Sequence, residues 1–463
     1  MKILHYSLGL PPYRSGGLTK YSSDLMIEQV KQGDSVYLLF PGEFRLIKDK
    51  VEIKKYRIYN GIKVYKLLNP LPVPLLKGIS SPKNFMKKCD KSIFISFLKK
   101  INIDIVHIHT FMGLYKEFLE ACKDLNIKIV YTTHDYFGLC TKVNFIDNKG
   151  KLCEERDIEK CLVCNSFGYK LNNIKILQSK SYRFAKNKGL IDKIKNTLFL
   201  LKKKKEFNFM NGKTSDRTLY KYLDSEEYIK LIKYYNDMYK SIDKFLFNSR
   251  LTMQIYNTYF KAKGEIISIT HENIKDNRSI KSYSGNKLKL TYLGPFKEYK
   301  GFFLMVDVMK ELELEGYNNI ELNAYGDSTN LSLKLKNINV HGKYLYSELK
   351  NIFDNTDILI VPSIWNETFG FITIEALSYG VPVLITDKVG SQDLLYSNNG
   401  KEKGIIVSPS KNKIKEEIIN LYKNPEILIQ LNLNILDDKF NYLLSEHYKV
   451  INNSYKKLIG ANK

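Results

Sequence analysis

No apolar run in this chain approaches the roughly 18 residues that a bilayer-spanning helix requires, which excludes a protein built around membrane spans. The opening MKILHYSLGL lacks the longer apolar core and the small-residue cleavage site of a secretory signal. It reads instead as a first buried strand. Cysteine is scarce, six in 463 residues, which argues against a secreted disulfide scaffold. These absences lead to the expectation of a cytoplasmic protein, with at most peripheral contact on the inner face of the membrane. Acidic residues are also short, 49 against 73 basic ones, a formal net charge of +24. That field favours polyanions: nucleic acid, an anionic membrane face or phosphorylated substrates. No zinc finger, RNP motif or other nucleic-acid module is present, so nucleic acid is not expected as a partner. No short repeat period appears either.

What is there is alternation. Lys2 to Ser7, Ser35 to Phe40, Asp104 to His109 and Ile127 to Thr132 read as strands, with helical stretches at Leu18 to Gln32 and Leu114 to Cys122. Strand–helix alternation at this spacing predicts a parallel sheet covered by helices. The rhythm breaks over 165–244, which is rich in Lys and Tyr and holds 19 basic against 8 acidic residues, including the run Lys202 to Lys205. It reads as a basic helical insertion in the first domain. A polar stretch, HENIKDNRSIKSYSGN at 271–286, reads as a linker. A second series follows: strands at Leu288 to Leu293, Ile320 to Tyr325, Ile358 to Val361, Val381 to Ile385 and Ile405 to Val407, with helices from Phe302 and Phe371. The predicted fold class is α/β, two Rossmann-like parallel-sheet domains facing across a cleft. The first covers 1–270 and the second 287–440, with a C-terminal helix over 441–463 that packs back on the first domain. In such sheets ligands bind beyond the carboxyl ends of the strands.

The segment that carries most chemistry is VPSIWNETFGFITIEALSYG, from Val361 to Gly380. A buried strand ends at Val361, and the following loop carries Glu367 among Trp365, Phe369 and Gly370. A helix opens at Phe371 and carries Glu375. N–H groups near Gly370 and Phe371 suit an anion or sugar oxygens. Carboxylates suit vicinal hydroxyls, because each oxygen accepts a charge-assisted hydrogen bond. With its flanks, this pair of glutamates seven residues apart closely resembles the family-4 group of retaining glycosyltransferases, whose fold is called GT-B. The resemblance implies that Glu367 lies near the donor sugar and Glu375 holds the nucleotide ribose. Phe369, Gly370 and Phe371 would line the donor site.

A second match is GPFKEYKG, Gly294 to Gly301, directly after a strand. The family places an arginine and then Lys-Gly there, and the two cations hold the donor diphosphate. Lys300 and Gly301 match. Pro295 stands at the arginine position and supplies neither charge nor N–H; Lys297 is the nearby substitute, without an arginine's bidentate fork. Smaller similarities follow in order at Ala324 to Asp327, Val340 to Gly342 and Gly390 to Asp393. In the first half, Gly16-Gly17 resembles the family's glycine pair near the donor phosphates. His134, in YTTHDYFGLC, resembles its histidine beside the donor sugar. A neutral imidazole there could bond a hydroxyl and a charged one could stabilise the leaving phosphate, with Asp135 orienting the ring. His107 and His109 read as structural.

Cys140, Cys153, Cys161 and Cys164 fall within 25 residues, and the last two form a C-x2-C pair. Four thiolates at this spacing could close a structural zinc site; no catalytic cofactor is expected. Taken together, the reading is a metal-independent transferase. It moves a sugar from a nucleoside-diphosphate sugar to a glycan or lipid-linked acceptor, by analogy in cell-surface polysaccharide assembly. The rival readings are a GT-B nucleotide-sugar epimerase and a non-catalytic protein binding polyanions or an anionic membrane surface through the basic 165–244 stretch.

Overall fold

The five residues KILHY open the fold as β1 (Lys2–Tyr6), buried at every position but the first. An apolar run without alternation suits a strand covered on both faces. β2 (Ser35–Pro41) repeats the pattern. The computed structural model describes residues 1–45, 49–191, 224–283, 286–326, 335–397 and 399–460. Its first sheet continues with β3 (Glu52–Tyr59), β4 (Ile62–Leu68), β5 (Ile105–Ile108), β6 (Lys128–Thr132), β7 (Lys244–Phe247) and β8 (Gly264–Ile266). The order across the sheet is β3-β4-β2-β1-β5-β6-β7-β8. Every pair is parallel except β3 with β4.

The second sheet holds β9 (Leu288–Gly294), β10 (Ile320–Gly326), β11 (Ile338–Gly342), β12 (Ile358–Val361), β13 (Val383–Thr386) and β14 (Gly404–Val407). Its order is β11-β10-β9-β12-β13-β14, all parallel. With the edge strands set aside, each sheet has the doubly wound order in which the chain reverses direction beside its first strand. The switch points lie between β1 and β5 and between β9 and β12. The loops after those four strands carry Gly16-Gly17, His109, Lys300 and Glu367, so topology alone brings the candidate residues to one crevice.

Several elements were not read from the sequence, the helices Ile158–Ser166, Lys411–Lys423 and Glu426–Asp437 among them. The β3–β4 hairpin turns at Asn60-Gly61, both at positive φ, the signature of a tight hairpin turn. β3 is largely exposed, so it offers no buried run to detect. The helix Ser92–Ile101 and the three-residue β8 also went unread. The expected 165–244 insertion needs a correction. Leu171–Leu177 and Lys180–Asn187 are helical, but Ser225–Lys240 is a core element. It buries Tyr228, Leu231, Tyr235, Met238 and Tyr239 in the first domain just ahead of β7. The run Lys202 to Lys205 and residue Asp327 lie outside the described residues.

The C-terminal helix, Leu444–Gly460, buries Leu444, His447, Tyr448, Ile451, Ser454 and Tyr455. These recur at three- and four-residue intervals and so share one face. That face lies on the first domain. Tyr21 and His447 are hydrogen-bonded at 2.8 Å, the Tyr448 hydroxyl donates to Asp34 at 3.1 Å, and the Tyr455 hydroxyl pairs with His107 Nδ1. Tyr455 is fully buried. Emptying its site in Tyr455→Ala should cost about 3–5 kcal/mol, the range for large aromatic truncations, read as a lower urea midpoint. Tyr455→Phe, which removes only the hydroxyl, should cost about 1 kcal/mol. Equal midpoints for the alanine variant and the wild type would mean that this helix contributes no stability to the first domain.

Candidate active site

The loop Pro362 to Gly370 leaves β12 and crosses the cleft. Its Thr368 hydroxyl donates to the His134 carbonyl at 3.1 Å, and its carbonyl accepts from the Ser249 and Thr252 hydroxyls at 3.0 Å each. Beside it, the Arg250 N–H donates to Asp393 at 2.6 Å. Two glycines let the loops come this close. A Cβ on Gly301, which has φ 73°, would sit 1.8 Å from the Pro362 carbonyl oxygen. One on Gly390 would sit 2.5 Å from the Thr368 carbonyl oxygen and 2.6 Å from the Ser249 hydroxyl. Neither clash could be relieved without moving backbone.

Within this frame Lys300 and Glu367 meet. The ammonium lies 3.0 Å from Glu367 Oε1 and 5.2 Å from the Trp365 ring centre. Glu367 is buried and Lys300 half-buried. Glu375 lies on the helix Phe371–Leu377, with Oε1 3.1 Å from His271 Nε2. Gly370 caps the start of that helix. Phe371 turns its ring toward the first domain, where a Cβ on Gly17 would touch it at 3.4 Å; Gly16 is the residue just before the helix Gly17–Lys31. The two glycines, Phe371, Gly370 and Glu375 thus lie along one seam.

Four residues sit differently from what the sequence suggests. Phe369 is buried in the core under the loop. Lys297 is exposed and lines an open cavity of about 580 Å³ together with Lys77 and Lys142 of the first domain. His134 offers no free ring nitrogen. Gln29 Oε1 can only accept, so His5 Nε2 carries the hydrogen of their 2.7 Å bond. His5 Nδ1 then accepts from His109 Nε2 at 2.9 Å, and His109 Nδ1 accepts from His134 Nε2 at 3.2 Å. His134 Nδ1 is left to accept from Asn248 Nδ2 at 3.3 Å. Burial, followed by His447, pushes His134 down to about 3. It is a neutral, doubly bonded ring, and a charged imidazole facing a phosphate does not fit this position. Asp135 does not orient it either. Its carboxylate accepts from the Phe137 N–H at 2.9 Å, and burial raises it to about 6.

His5, His107 and His109 have ring nitrogens within 4.8 Å of one another. Each of these nitrogens is already hydrogen-bonded, His107 to Thr132 and Tyr455, so the cluster is a closed network. Cys140, Cys153, Cys161 and Cys164 line one small cavity. Cys140 Sγ accepts the N–H groups of Lys142 and Phe145 at 3.4 Å each, which would suit a thiolate. Among the described residues, however, no three of these sulfurs lie within 4.8 Å of one another. A zinc ion bonded at about 2.3 Å would need the sulfurs drawn closer together than that. Sequence reasoning missed Asn248, Thr368 and His271. Only His271 left a trace, a histidine just past the last strand of the first domain.

Two facing doubly wound domains, with carboxylates and a lysine at their switch points, define the GT-B class. The second half matches the family described as glycosyl transferases group 1 over residues 273–435, and the first half matches glycosyltransferase family 4 over residues 15–156. The chain belongs to the family-4 glycosyltransferases. Among solved structures, sucrose-phosphate synthase from Thermosynechococcus elongatus is similar over 100% of both chains, with TM-score 0.55 and 12% identity. HepE from Anabaena, solved with UDP, is similar over 99% of this chain and 100% of its own, with TM-score 0.56 and 11% identity. These likenesses show the fold. An uncharacterized 41.2 kDa protein in the cps region of Klebsiella pneumoniae is 32% identical over 101 residues. That match takes 21% of this chain and spans about a quarter, 27%, of the relative.

The buried histidines set a pH dependence. Unfolded, each titrates near 6.5; folded, burial holds His5 and His447 at about 4 and His134 at about 3. Protons therefore favour the unfolded chain between these values, and this part of the stability is full above about 6.5 and drains as pH falls toward 4. Asp135, raised to about 6, opposes this over a narrower window and is outnumbered. The urea midpoint should be lower at pH 5 than at pH 7.5; equal midpoints would mean that the histidines are protonated in the folded protein.

Proposed function

We propose that this glycosyltransferase moves a sugar, with retention, from a nucleoside-diphosphate sugar to a hydroxyl of a glycan or lipid-linked acceptor in surface polysaccharide assembly. The observation that carries the reading is the placement of Glu367, Lys300 and Glu375 at one switch point, facing the Gly16-Gly17 turn. Glu375 would accept hydrogen bonds from the ribose hydroxyls, and Glu367 would bond the donor sugar. Lys300 would meet the diphosphate, whose charge grows as the glycosidic bond breaks; a cation fixed there stabilises the transition state more than the ground state. Before donor binds, Glu367 neutralises this lysine, so the ammonium is already in place and needs little reorganisation. In the proposed transfer the departing phosphate takes the acceptor proton on the same face, with Lys300 as the cation and no metal required. HepE was solved with UDP-glucose as well as with UDP, which supports a nucleotide-sugar donor. The cps-region relative supports the polysaccharide setting.

A membrane-bound acceptor is part of the proposal. Consecutive helices at 171–177 and 180–187 expose Ile176 (62%) and Phe184 (61%) to solvent, after Phe167 (57%). Lys170, Lys175, Lys180 and Lys186 lie among them. Apolar side chains interleaved with lysines suit the interface of an anionic bilayer. No described helix is long and apolar enough to cross a membrane.

Thermal stability against UDP, GDP and ADP tests the donor site. A nucleotide at 100 times its Kd should add about 2.7 kcal/mol of stability, and Glu375→Ala should cut the shift by about half or more. No shift with any nucleotide would sink the reading. Cosedimentation with liposomes tests the surface: binding should need anionic lipid, weaken with salt and fall in Ile176→Asp/Phe184→Asp. Binding indifferent to lipid charge would count against it.

A further inference from the structure

Glu375 is gripped from outside its own domain. His271 belongs to the linker that follows the first sheet, and its Nε2 lies 3.1 Å from Glu375 Oε1. Both side chains are buried, with residue exposures of 1% and 8%. The Asn273 N–H donates to His271 Nδ1 at 3.3 Å. In a neutral ring Nδ1 is then the acceptor, so Nε2 carries the hydrogen and donates to the carboxylate. Two aromatic rings hold the imidazole edge-on, Phe371 at 5.1 Å and Tyr346 at 5.8 Å between centres. Glu375 Oε2 has no hydrogen-bond partner among the described residues. The next linker residue faces the other way: the Glu272 N–H donates to Asp24 at 2.9 Å. Asp24 lies on the helix Gly17–Lys31, which starts at the glycine pair.

We propose that His271 is a positioning residue for the donor nucleotide. It fixes Oε1 of Glu375 and so aims Oε2 at the ribose hydroxyls of a nucleoside diphosphate. This rests on the proposed role of Glu375 and goes beyond it, because it makes ribose recognition depend on a linker residue. The physical reason is orientation. A carboxylate on a two-turn helix can rotate about three side-chain bonds, and a directed N–H bond inside an aromatic cage removes that freedom before the ligand arrives.

The test compares ribose with 2′-deoxyribose nucleotides. UDP, GDP and ADP and their 2′-deoxy forms are titrated calorimetrically into the full-length wild type, His271→Phe and His271→Gln. Phenylalanine keeps a ring in the cage without the N–H, and glutamine restores an N–H. The wild type should prefer the ribose form of its nucleotide by about tenfold or more, the scale of a charge-assisted hydrogen bond. His271→Phe should lose most of that preference while binding the deoxy form about as well as the wild type does. His271→Gln should keep part of it. A preference unchanged in His271→Phe, or equal weakening of both forms, would overturn the proposal. A wild type that binds but does not discriminate would overturn the role of Glu375, and with it this inference; one that binds no nucleotide would overturn the donor site itself. If His271→Phe does not fold, the imidazole ¹⁵N resonances of His271 in the wild type take its place. They should shift with the ribonucleotide and not with its deoxy form, and equal shifts would again overturn the proposal.

Discussion

Thr368 touches the first domain with two of its hydrogen-bonding groups, the hydroxyl on the His134 carbonyl and the carbonyl under the Ser249 and Thr252 hydroxyls. The two residues that matter most for the loop's chemistry flank it. Glu367 precedes it, and Gly370, where the donor helix starts, follows two residues later. The loop cannot shift without breaking three part-buried hydrogen bonds. Such bonds are costly to leave unmade. The docking of Thr368 therefore sets the positions of Glu367 and, through it, of Lys300. Gly390 and Gly301 belong to the same constraint, since a side chain at either would push the loops apart before any ligand entered.

Charge works locally here rather than globally. The excess of +24 draws polyanions from a distance, but Debye screening confines such fields to about 8–10 Å in ordinary salt. Inside the cleft Lys300 faces Glu367 at 3.0 Å. The proline at 295 removes one donor from the site, and Lys297, its candidate replacement, points to an open cavity shared with Lys77 and Lys142. The cations of this chain are therefore spread along the cleft rather than paired at one phosphate.

Much of the fold could be read from the sequence because buried parallel strands are continuous apolar runs, and because the loops after them hold glycines and charges. IVHI, KIVYT, LKLTYL and ILIV announced themselves in this way. β3 did not, because its charged side chains face water on an edge. The site was legible where a local motif carried it: Glu367, Glu375 and Lys300 stand in short, dense segments. It was illegible where partners come from distant parts of the chain. Asn248 meets His134 from 114 residues away, and His271 meets Glu375 from 104; no periodicity records such a pairing. His134 shows the same limit from the other side. Its segment suggested a free catalytic ring, while its hydrogen bonds to His109 and Asn248 could be known only from the fold.

These distant pairings form one continuous structure. The C-terminal helix enters the first domain through Tyr455 and His447, which pair with His107 and Tyr21. The ring of Tyr21 packs 4.9 Å from that of His134, and His134 is held by His109 and Asn248. Its carbonyl receives Thr368. A helix that belongs in sequence to the end of the second domain thus buttresses the first-domain histidines on which the second domain's own loop is seated. The linker closes the loop of contacts on the opposite side, with His271 on Glu375 and Glu272 on Asp24. Because interiors are packed to crystal density and yield little, a change at either end of this circuit reaches the cleft as displacement rather than as softening. Burial holds five first-domain and C-terminal-helix histidines below the ordinary imidazole range. For His5, His107, His109, His134 and His447 no carboxylate is hydrogen-bonded to the ring among the described residues, so a charge there would lose hydration without a paired counter-ion.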